Sequence, residues 1–305
     1  MYNNYTPEVK KMTEDNKDSF SYLIEKELQN EDKLLKPDFN QKTGRELLAF
    51  YLQSKFKQAL AYDAKAKEPV FIDVRYDFIQ NFSKRLITNP EKRIMIGITG
   101  ESASGKSTIC KAITDVITGF NMPVTILTTD NYFNDISELI KIYGTFDALR
   151  DHGYDVDSPE SFQLDVLRED LNKISLGEDI YSPEYLINGT GISVPKAKFV
   201  PSNKIVVVEG MASMYKDIKD IFDIKVYVET DINIRRERFL KRAYTERNQA
   251  LEEAKKHWEY ILGAGEKYVK PARKEADIIL NGDTNLTYFS QILEYIYTIT
   301  NNFEV

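Results

Sequence analysis

The chain has 305 residues, of which 42% are hydrophobic and 29% are charged, and its net charge at pH 7 is −7. This composition is typical of a globular protein with its own core. No apolar run approaches the roughly 20 residues of a membrane span. The acidic net charge disfavours nucleic-acid binding. The polar first residues lack the apolar stretch of a signal peptide, and the single cysteine, Cys110, excludes an internal disulfide. We therefore expect a cytoplasmic protein that binds neither nucleic acid nor membrane, and the sequence leaves open whether it forms a homo-oligomer.

Residues 1–90 are predicted to form a helical N-terminal appendage. Apolar side chains recur at helical spacing within Phe20–Leu28, Leu48–Ala59 and Val74–Leu86. Thr88-Asn89-Pro90 is a turn-forming sequence that predicts the end of this region. Two roles stay open for it, namely packing on the following domain and regulation or partner binding.

Residues 91–305 alternate short apolar runs with helical patterns, which predicts an α/β domain with a parallel sheet flanked by helices. The predicted strands are Arg93–Thr99, Val124–Thr129, Lys204–Val208, Ile224–Val228 and Ala276–Leu280. The predicted helices are Lys106–Thr118, Phe162–Ile174, Ile232–Arg247 and a last one over residues 289–299. Ligands of such sheets bind at the carboxyl ends of the strands, so functional residues are expected there.

The segment Gly100–Ser107 (GESASGKS) fits the P-loop pattern and lies between the first of these strands and the following helix. Its glycines let backbone N–H groups point at phosphate oxygens, and the helix N-terminus adds positive potential. Lys106 is expected to reach the β- and γ-phosphates, and the Ser107 hydroxyl to bind Mg²⁺. The predicted ATP-binding residues are Gly100, Glu101, Ser102, Ala103, Ser104, Gly105, Lys106, Ser107 and Thr108.

Two acids follow the next two predicted strands. Asp130, in TTDNYF, is expected near the P-loop, where a carboxylate can accept the proton of an attacking hydroxyl or bind metal through water. Glu209 follows the apolar run of the next strand, which is the Walker B arrangement and predicts a position near Mg²⁺. A capping role for Asp130 and a purely structural role for Glu209 stay open.

These motifs, in this order, resemble those of the uridine kinase and phosphoribulokinase family. The resemblance runs from Ile94 to Leu280 and rests on GESASGKST, TTDNYF, GYDVDSPESF, YSPEY, VVVEGM, RFLKRAYTER and KEADIIL. It implies a P-loop NTPase fold and a kinase that transfers the γ-phosphoryl group of ATP to a hydroxyl of a small metabolite. It further implies that Ser107 and Glu209 hold Mg²⁺ and that Asp130 is the base for the acceptor hydroxyl.

The resemblance also implies an acceptor site. Asp157 matches the acid that hydrogen-bonds ribose hydroxyls, and Tyr185 matches the aromatic residue beside the nucleobase. His152 is close enough to Asp157 in sequence to line the same pocket. Helix capping stays open for Asp157, because a helix start is predicted at Ser158-Pro159, and surface packing stays open for Tyr185.

Four residues near this site differ from the family pattern. Ser158 stands where uridine kinases usually carry His, Val156 replaces a Phe, Gln163 an Asp, and Thr190 a base-reading His. Because a site that reads a base needs its own donors and acceptors, the acceptor stays open. Nucleosides, phosphorylated pentoses, pantothenate and other hydroxylated metabolites all remain candidates.

A cationic segment begins at Arg235-Arg236-Glu237-Arg238, after the fourth strand of the parallel series. Related kinases carry here a helical lid whose arginines bind ATP and stabilise charge on the transferring phosphoryl group. Arg238 and Arg242 are four residues apart on one helical face, and we expect these two to act in catalysis. A solvated helix with internal ion pairs is the alternative.

A function of a different class also stays open. In it, the chain is a P-loop ATPase or nucleotide switch that acts on a protein partner through residues 1–90. This alternative predicts ATP hydrolysis that no small acceptor stimulates.

Overall fold

The computed structural model describes residues 59–75, 91–246 and 249–290 continuously, and also positions 54, 57, 77–78, 81–82, 85, 88–89 and 294. The chain divides into two compact units, one of residues 1–68, 79–90 and 284–305, and one of residues 69–78 and 91–283. The second unit contains every predicted site residue. The helices predicted over Phe20–Leu28 and most of those over Leu48–Ala59 and residues 289–299 lie outside the described residues.

A six-stranded sheet is the centre of the second unit. The strands of the described residues are β1 Phe71–Val74, β2 Ile94–Thr99, β3 Val124–Thr128, β4 Ile180–Tyr185, β5 Ser193–Val200, β6 Ile205–Glu209, β7 Ile224–Glu229 and β8 Ile278–Asn281. The sheet order is β1-β8-β7-β2-β6-β3, and all neighbours from β8 to β3 are parallel. The five parallel strands confirm the sequence prediction to within two residues at each end.

Strand β1 corrects the prediction for the region before residue 90, where only helices were expected and Val74 was assigned to a helical face. It pairs antiparallel with β8, with Phe71 opposite Leu280 and Val74 opposite Ile278. The physical reason is that the outer edge of β8 carries backbone N–H and C=O groups that need partners, and an antiparallel edge strand on a parallel sheet is common. The boundary at residue 90 between an appendage and a kinase domain stays a prediction. Strand β1 of the sheet nevertheless precedes that boundary in the chain.

Helices cover the sheet and carry several of the site residues. Those within the described residues are α1 Lys106–Gly119, α2 Ser137–Tyr143, α3 Phe146–Asp151, α4 Leu164–Ser175, α5 Ile232–Thr245 and α6 Leu251–Ala264. Helix α6 continues into a π-helix, Gly265–Val269. No helix in the described part of the chain is long and apolar enough to cross a membrane.

The core lies between these helices and the sheet. Residues Ile205–Val208 of β6 are all buried, as expected for a central parallel strand with both faces covered. Helix α4 presents Leu167, Leu171 and Ile174 to the same core at helical spacing. The firm packing of β6 fixes the position of the acid at its end, Glu209.

Strands β4 and β5 form a separate antiparallel hairpin. Residues 186–192 connect the two strands. The hairpin is held to the segment before α2, because the Ser193 N–H donates to Asp135 Oδ2 at 2.9 Å. It therefore places Tyr185, at the end of β4, at a defined position.

Candidate active site

The loop Gly100–Gly105 connects β2 to α1 and forms a preshaped cradle. Gly100 has a φ of 153°, and a Cβ there would lie 2.4 Å from the Val228 carbonyl oxygen and 2.7 Å from Ser104 Oγ. A residue with a side chain would therefore push the loop away from β7. Thr230 Oγ1 also donates to the Ser104 carbonyl at 2.8 Å, which ties the loop to the end of that strand.

Lys106 opens α1 and turns its ammonium group back onto the loop. Nζ donates to the carbonyl oxygens of Gly100 at 2.8 Å and Glu101 at 3.0 Å. Removal of the ammonium from water lowers the pKa of Lys106, and the carboxylates of Glu209 and Asp130 act in the opposite direction. The lysine is therefore within electrostatic range of both predicted acids, beside the cradle.

Ser107 and Glu209 form a pair that fits a magnesium ion. Ser107 Oγ donates to Glu209 Oε2 at 3.2 Å. Mg²⁺ in nucleotide sites is bound by few protein oxygens and completes its octahedron with phosphates and water, and a hydroxyl and a carboxylate beside a phosphate cradle match that donor set. No cluster of three or more His, Cys, Asp or Glu that could hold a metal occurs in the described part of the chain.

Asp130 lies at the same edge of the sheet. It follows β3 in the 3₁₀ turn Thr129–Tyr132, and Thr128 is in register with Glu209 of β6. The Asp130 N–H donates to Thr128 Oγ1 at 3.3 Å, so Thr128 and not Asp130 is the residue that caps the turn.

Two side chains that the sequence analysis did not single out hold this turn. Tyr132 is fully buried, and its hydroxyl donates to Asp170 Oδ2 at 2.8 Å. Burial raises the pKa of Asp170, and the hydrogen bond from Tyr132 opposes that shift. The sequence offered little sign of the contact between Tyr132 and Asp170, because an acid within the helical pattern of α4 looks like any solvent-facing residue.

Asp157, predicted to bind the acceptor, lies two residues before the 3₁₀ turn Pro159–Ser161. Withdrawal of its carboxyl group from water raises the pKa of Asp157, while the Arg150 guanidinium acts in the opposite direction. The Tyr215 hydroxyl donates to the Asp157 carbonyl at 3.1 Å. Ser158, and not Asp157, occupies the N-cap position of the turn Pro159–Ser161, and it makes no side-chain capping hydrogen bond.

Tyr185 belongs to an aromatic cluster. Its ring centre lies 5.3 Å from that of Phe133, which stacks on Phe162 at 4.2 Å. Burial raises the pKa of Tyr185 to about 12. Tyr185 is thus packed in an aromatic cluster, and its place beside a nucleobase stays a prediction.

His152 is the third residue predicted for the acceptor pocket. It is exposed at the end of α3, with Nδ1 2.7 Å from the Ala148 carbonyl oxygen and its ring 4.7 Å from that of Tyr143. An open cleft of about 570 Å³ lies in the same region, and neither Asp157 nor His152 is one of its lining residues, so the place of His152 in an acceptor pocket stays a prediction. The lining includes Tyr154, Asp155, Ser158, Glu160, Lys267 and Tyr268.

The arginines of α5 have three different environments. Arg238 donates to the Gly282 carbonyl at 3.0 Å and pairs with Asp283 at 2.5 Å. Arg242 is exposed, and its charge contributes to the lowered pKa of Lys106, so it lies within electrostatic range of the P-loop. Arg235, which the sequence analysis did not select, is buried and contacts the loop directly. The alternative of a solvated helix with ion pairs therefore fits Arg238 in part, because Arg238 is ion-paired but its partner Asp283 lies outside α5.

The family model for phosphoribulokinase and uridine kinase matches residues 95–287, which is more than half of the chain. The chain belongs to the phosphoribulokinase/uridine kinase family. The match covers all five parallel strands except the first residue of β2, together with every residue of the site described above.

Relatives of this family member carry uridine kinase names. A uridine kinase of Staphylococcus epidermidis is 31% identical over 188 residues, which cover 61% of this chain and 86% of that protein. Uridine-cytidine kinase A of Dictyostelium discoideum is 28% identical over 218 residues, which cover 70% of this chain and 40% of that protein. The chain thus spans less than half the length of the Dictyostelium relative.

A solved structure shows the same fold. The protein from Silicibacter sp. TM1040, described as a candidate fructose transport system kinase, superposes with a TM-score of 0.51 at 17% identity over 66% of this chain and 95% of that chain. This likeness confirms the predicted P-loop fold, with a mainly parallel sheet flanked by helices.

Proposed function

We propose that this family member is an ATP-dependent kinase that transfers the γ-phosphoryl group to a hydroxyl of a nucleoside-like or sugar-like acceptor. The observation that carries the proposal is the 3.2 Å hydrogen bond between Ser107 and Glu209 beside the phosphate cradle, with Asp130 at the same edge of the sheet. Family membership favours a kinase over the ATPase or switch alternative, whose partner would be a protein.

The donor half of the site supports phosphoryl transfer by position and charge. Residues Gly100–Thr108 would bind the phosphates through their N–H groups, and Lys106 would move from the loop carbonyls to the β- and γ-phosphates. Ser107 and, directly or through water, Glu209 would hold Mg²⁺, which neutralises phosphate charge when bound. Arg238 and Arg242 of the lid helix would add positive charge as the phosphoryl group transfers.

The acceptor half supports a base and an orienting acid. Asp130 would orient and deprotonate the attacking hydroxyl, and Asp157 would hydrogen-bond further hydroxyls of the acceptor. The aromatic wall that contains Tyr185 offers a flat apolar surface beside them. Because catalysis of this type is mostly positioning, small displacements of these groups should be costly.

All four residues that differ from uridine kinases are committed to local structure. Gln163 Nε2 donates to the Phe133 carbonyl at 2.8 Å and to Ser193 Oγ at 3.0 Å. Val156 is buried, Ser158 is buried at the start of its turn, and the Thr190 hydroxyl donates to Asn188 Oδ1 at 2.5 Å within the hairpin connection. None of these contacts supports reading of a pyrimidine base by the family's usual groups. The acceptor is therefore best found by experiment.

The test is ADP release across a panel of nucleosides, pentose phosphates and vitamin precursors, with wild type, Asp130→Asn and the control Asp115→Asn run in parallel. Asp115 is exposed and pairs with Lys111 on α1. We expect ADP release that depends on one class of acceptor, a loss of about 10²–10⁴-fold in Asp130→Asn, and no change in the control. ADP release that needs no acceptor and survives Asp130→Asn would replace the kinase proposal with the switch alternative.

A further inference from the structure

The first variable position of the P-loop is an acid, Glu101. A carboxylate here lies in the loop that must attract a triphosphate, and like charges repel each other. Glu101 Oε2 lies 2.8 Å from Nη1 of Arg235, and the side chains are 13% and 4% exposed, respectively. Because neither side chain is open to solvent, water screens this pair poorly.

Arg235 is committed to the loop by more than this ion pair. Its Nε donates to the Ser102 carbonyl at 3.1 Å, and its guanidinium lies 5.6 Å from the centre of the Trp258 ring. The Tyr227 hydroxyl donates to Glu101 Oε2 at 3.4 Å. A Cβ at Gly265 would lie 3.2 Å from Glu101 Oε1, so the π-helix packs closely against the same carboxylate. The pair is thus enclosed by β7, α5, α6 and the π-helix.

A pair of this kind contributes little to stability by itself. The desolvation of two charges offsets most of their attraction, whereas removal of one partner leaves an uncompensated buried charge. In the described part of the chain, Arg235 Nη2 and Glu101 Oε1 have no hydrogen-bond partner, so the desolvation is not fully repaid. Such an arrangement is better explained by what it does for the loop.

The geometry points to Arg235 as a positioning residue for nucleotide binding, which cancels the charge of Glu101 and holds the Ser102 carbonyl so that the loop N–H groups face the phosphates. The inference rests on the proposed function only in that the loop binds ATP. If Arg235 loses its charge, the Glu101 carboxylate stays beside the phosphates. The penalty should then grow with the number of ligand phosphates.

The experiment measures binding of ATP, ADP and AMP to the full chain by calorimetry, without any acceptor. The variants are Arg235→Gln, Glu101→Gln and Glu101→Gln/Arg235→Gln, and the control is Arg168→Gln, which breaks an exposed pair with Asp220 at 3.3 Å. We expect Arg235→Gln to weaken ATP about tenfold or more, ADP less and AMP least. The double variant should recover most of the ATP affinity, and the control should not change.

Glu101→Gln provides an independent measurement if Arg235→Gln does not fold. It leaves the Arg235 charge uncompensated, so the ratio of ATP affinity to AMP affinity should rise above that of wild type. Three results would overturn the inference in favour of a merely structural role. The first is an equal loss of affinity for ATP, ADP and AMP in Arg235→Gln. The second is a double variant that binds ATP no better than Arg235→Gln, and the third is an unchanged ratio of ATP affinity to AMP affinity in Glu101→Gln. A wild type that binds ATP and phosphorylates no acceptor would defeat the kinase proposal and leave this inference standing, whereas a wild type that binds no ATP would defeat both.

Discussion

Gly210 follows β6 and touches the turn that carries Asp130. Its φ is +134°, and a Cβ on it would lie 2.1 Å from Oγ1 and 3.1 Å from Cβ of Thr129, which is fully buried. In Gly210→Ala, Thr129 must therefore move by about 1 Å to reach a normal contact distance. The overpacking costs about 1–3 kcal/mol and the backbone strain about 1–3 kcal/mol. We expect the free energy of unfolding to fall by about 2–6 kcal/mol.

The same displacement should lower activity, because Asp130 is the next residue after Thr129. A shift of about 1 Å in a positioned catalytic group costs roughly 10²-fold in rate. Urea unfolding followed by the fluorescence of Trp258, the one tryptophan of the sequence, measures the stability of the unit that contains the site. The kcat of phosphoryl transfer measures the displacement of Asp130.

Two variants make this prediction specific. Thr129→Ala removes the clashing oxygen, so Gly210→Ala/Thr129→Ala should recover a large part of both losses. Gly119→Ala is the control, since a Cβ there would have no atom within 4 Å and α1 favours Ala over Gly. Wild-type stability and kcat in Gly210→Ala, or no recovery in the double variant, would refute the reasoning.

Four further measurements test the site and its surroundings. Lys106→Ala should abolish the rise in Tm that ATP causes, whereas Lys111→Ala on the same helix, exposed and paired at the surface, should keep it; a retained rise would exclude Lys106 as a phosphate ligand. Ser107→Ala should raise the Mg²⁺ concentration for half-maximal activity by roughly 10–100-fold, and an unchanged Mg²⁺ titration would count against this metal site. Burial raises the pKa of Asp157 above its ordinary value of 3.8. The ionised carboxylate therefore destabilises the folded state at neutral pH, and this cost disappears as the pH falls below 3.8, where the group is protonated in both the folded and the unfolded state. Asp157→Asn should therefore increase the free energy of unfolding at pH 7, with a gain that shrinks as pH falls towards 3.8, and a pH-independent gain would contradict this; activity should be lost. Burial, aided by Glu209, raises the pKa of Cys110 to about 11, so thiol reagents at pH 8 should react only as fast as the protein unfolds; fast reaction with folded protein would show that the packing of α1 is wrong.

The phosphate loop, the parallel strands and the two acids at their carboxyl ends could be predicted from the amino-acid sequence. These features depend on neighbours in the chain: an apolar run predicts a buried strand, and the residue after it necessarily lies at the sheet edge. That is why Lys106, Ser107, Asp130 and Glu209 were expected at one edge of the sheet, where the structure has Ser107 hydrogen-bonded to Glu209. Their roles in binding and catalysis stay predictions.

Contacts between segments that are distant in the chain became visible in the three-dimensional fold. Helical spacing at Val74 gave way to strand pairing, because the open edge of β8 offered backbone hydrogen bonds that local periodicity does not reveal. His152 contacts the Ala148 carbonyl oxygen and the Tyr143 ring, because the end of α3 sets its position. The pairing of Glu101 with Arg235 depends on how α5 packs against the loop, and no pattern of residue spacing encodes a contact across that distance.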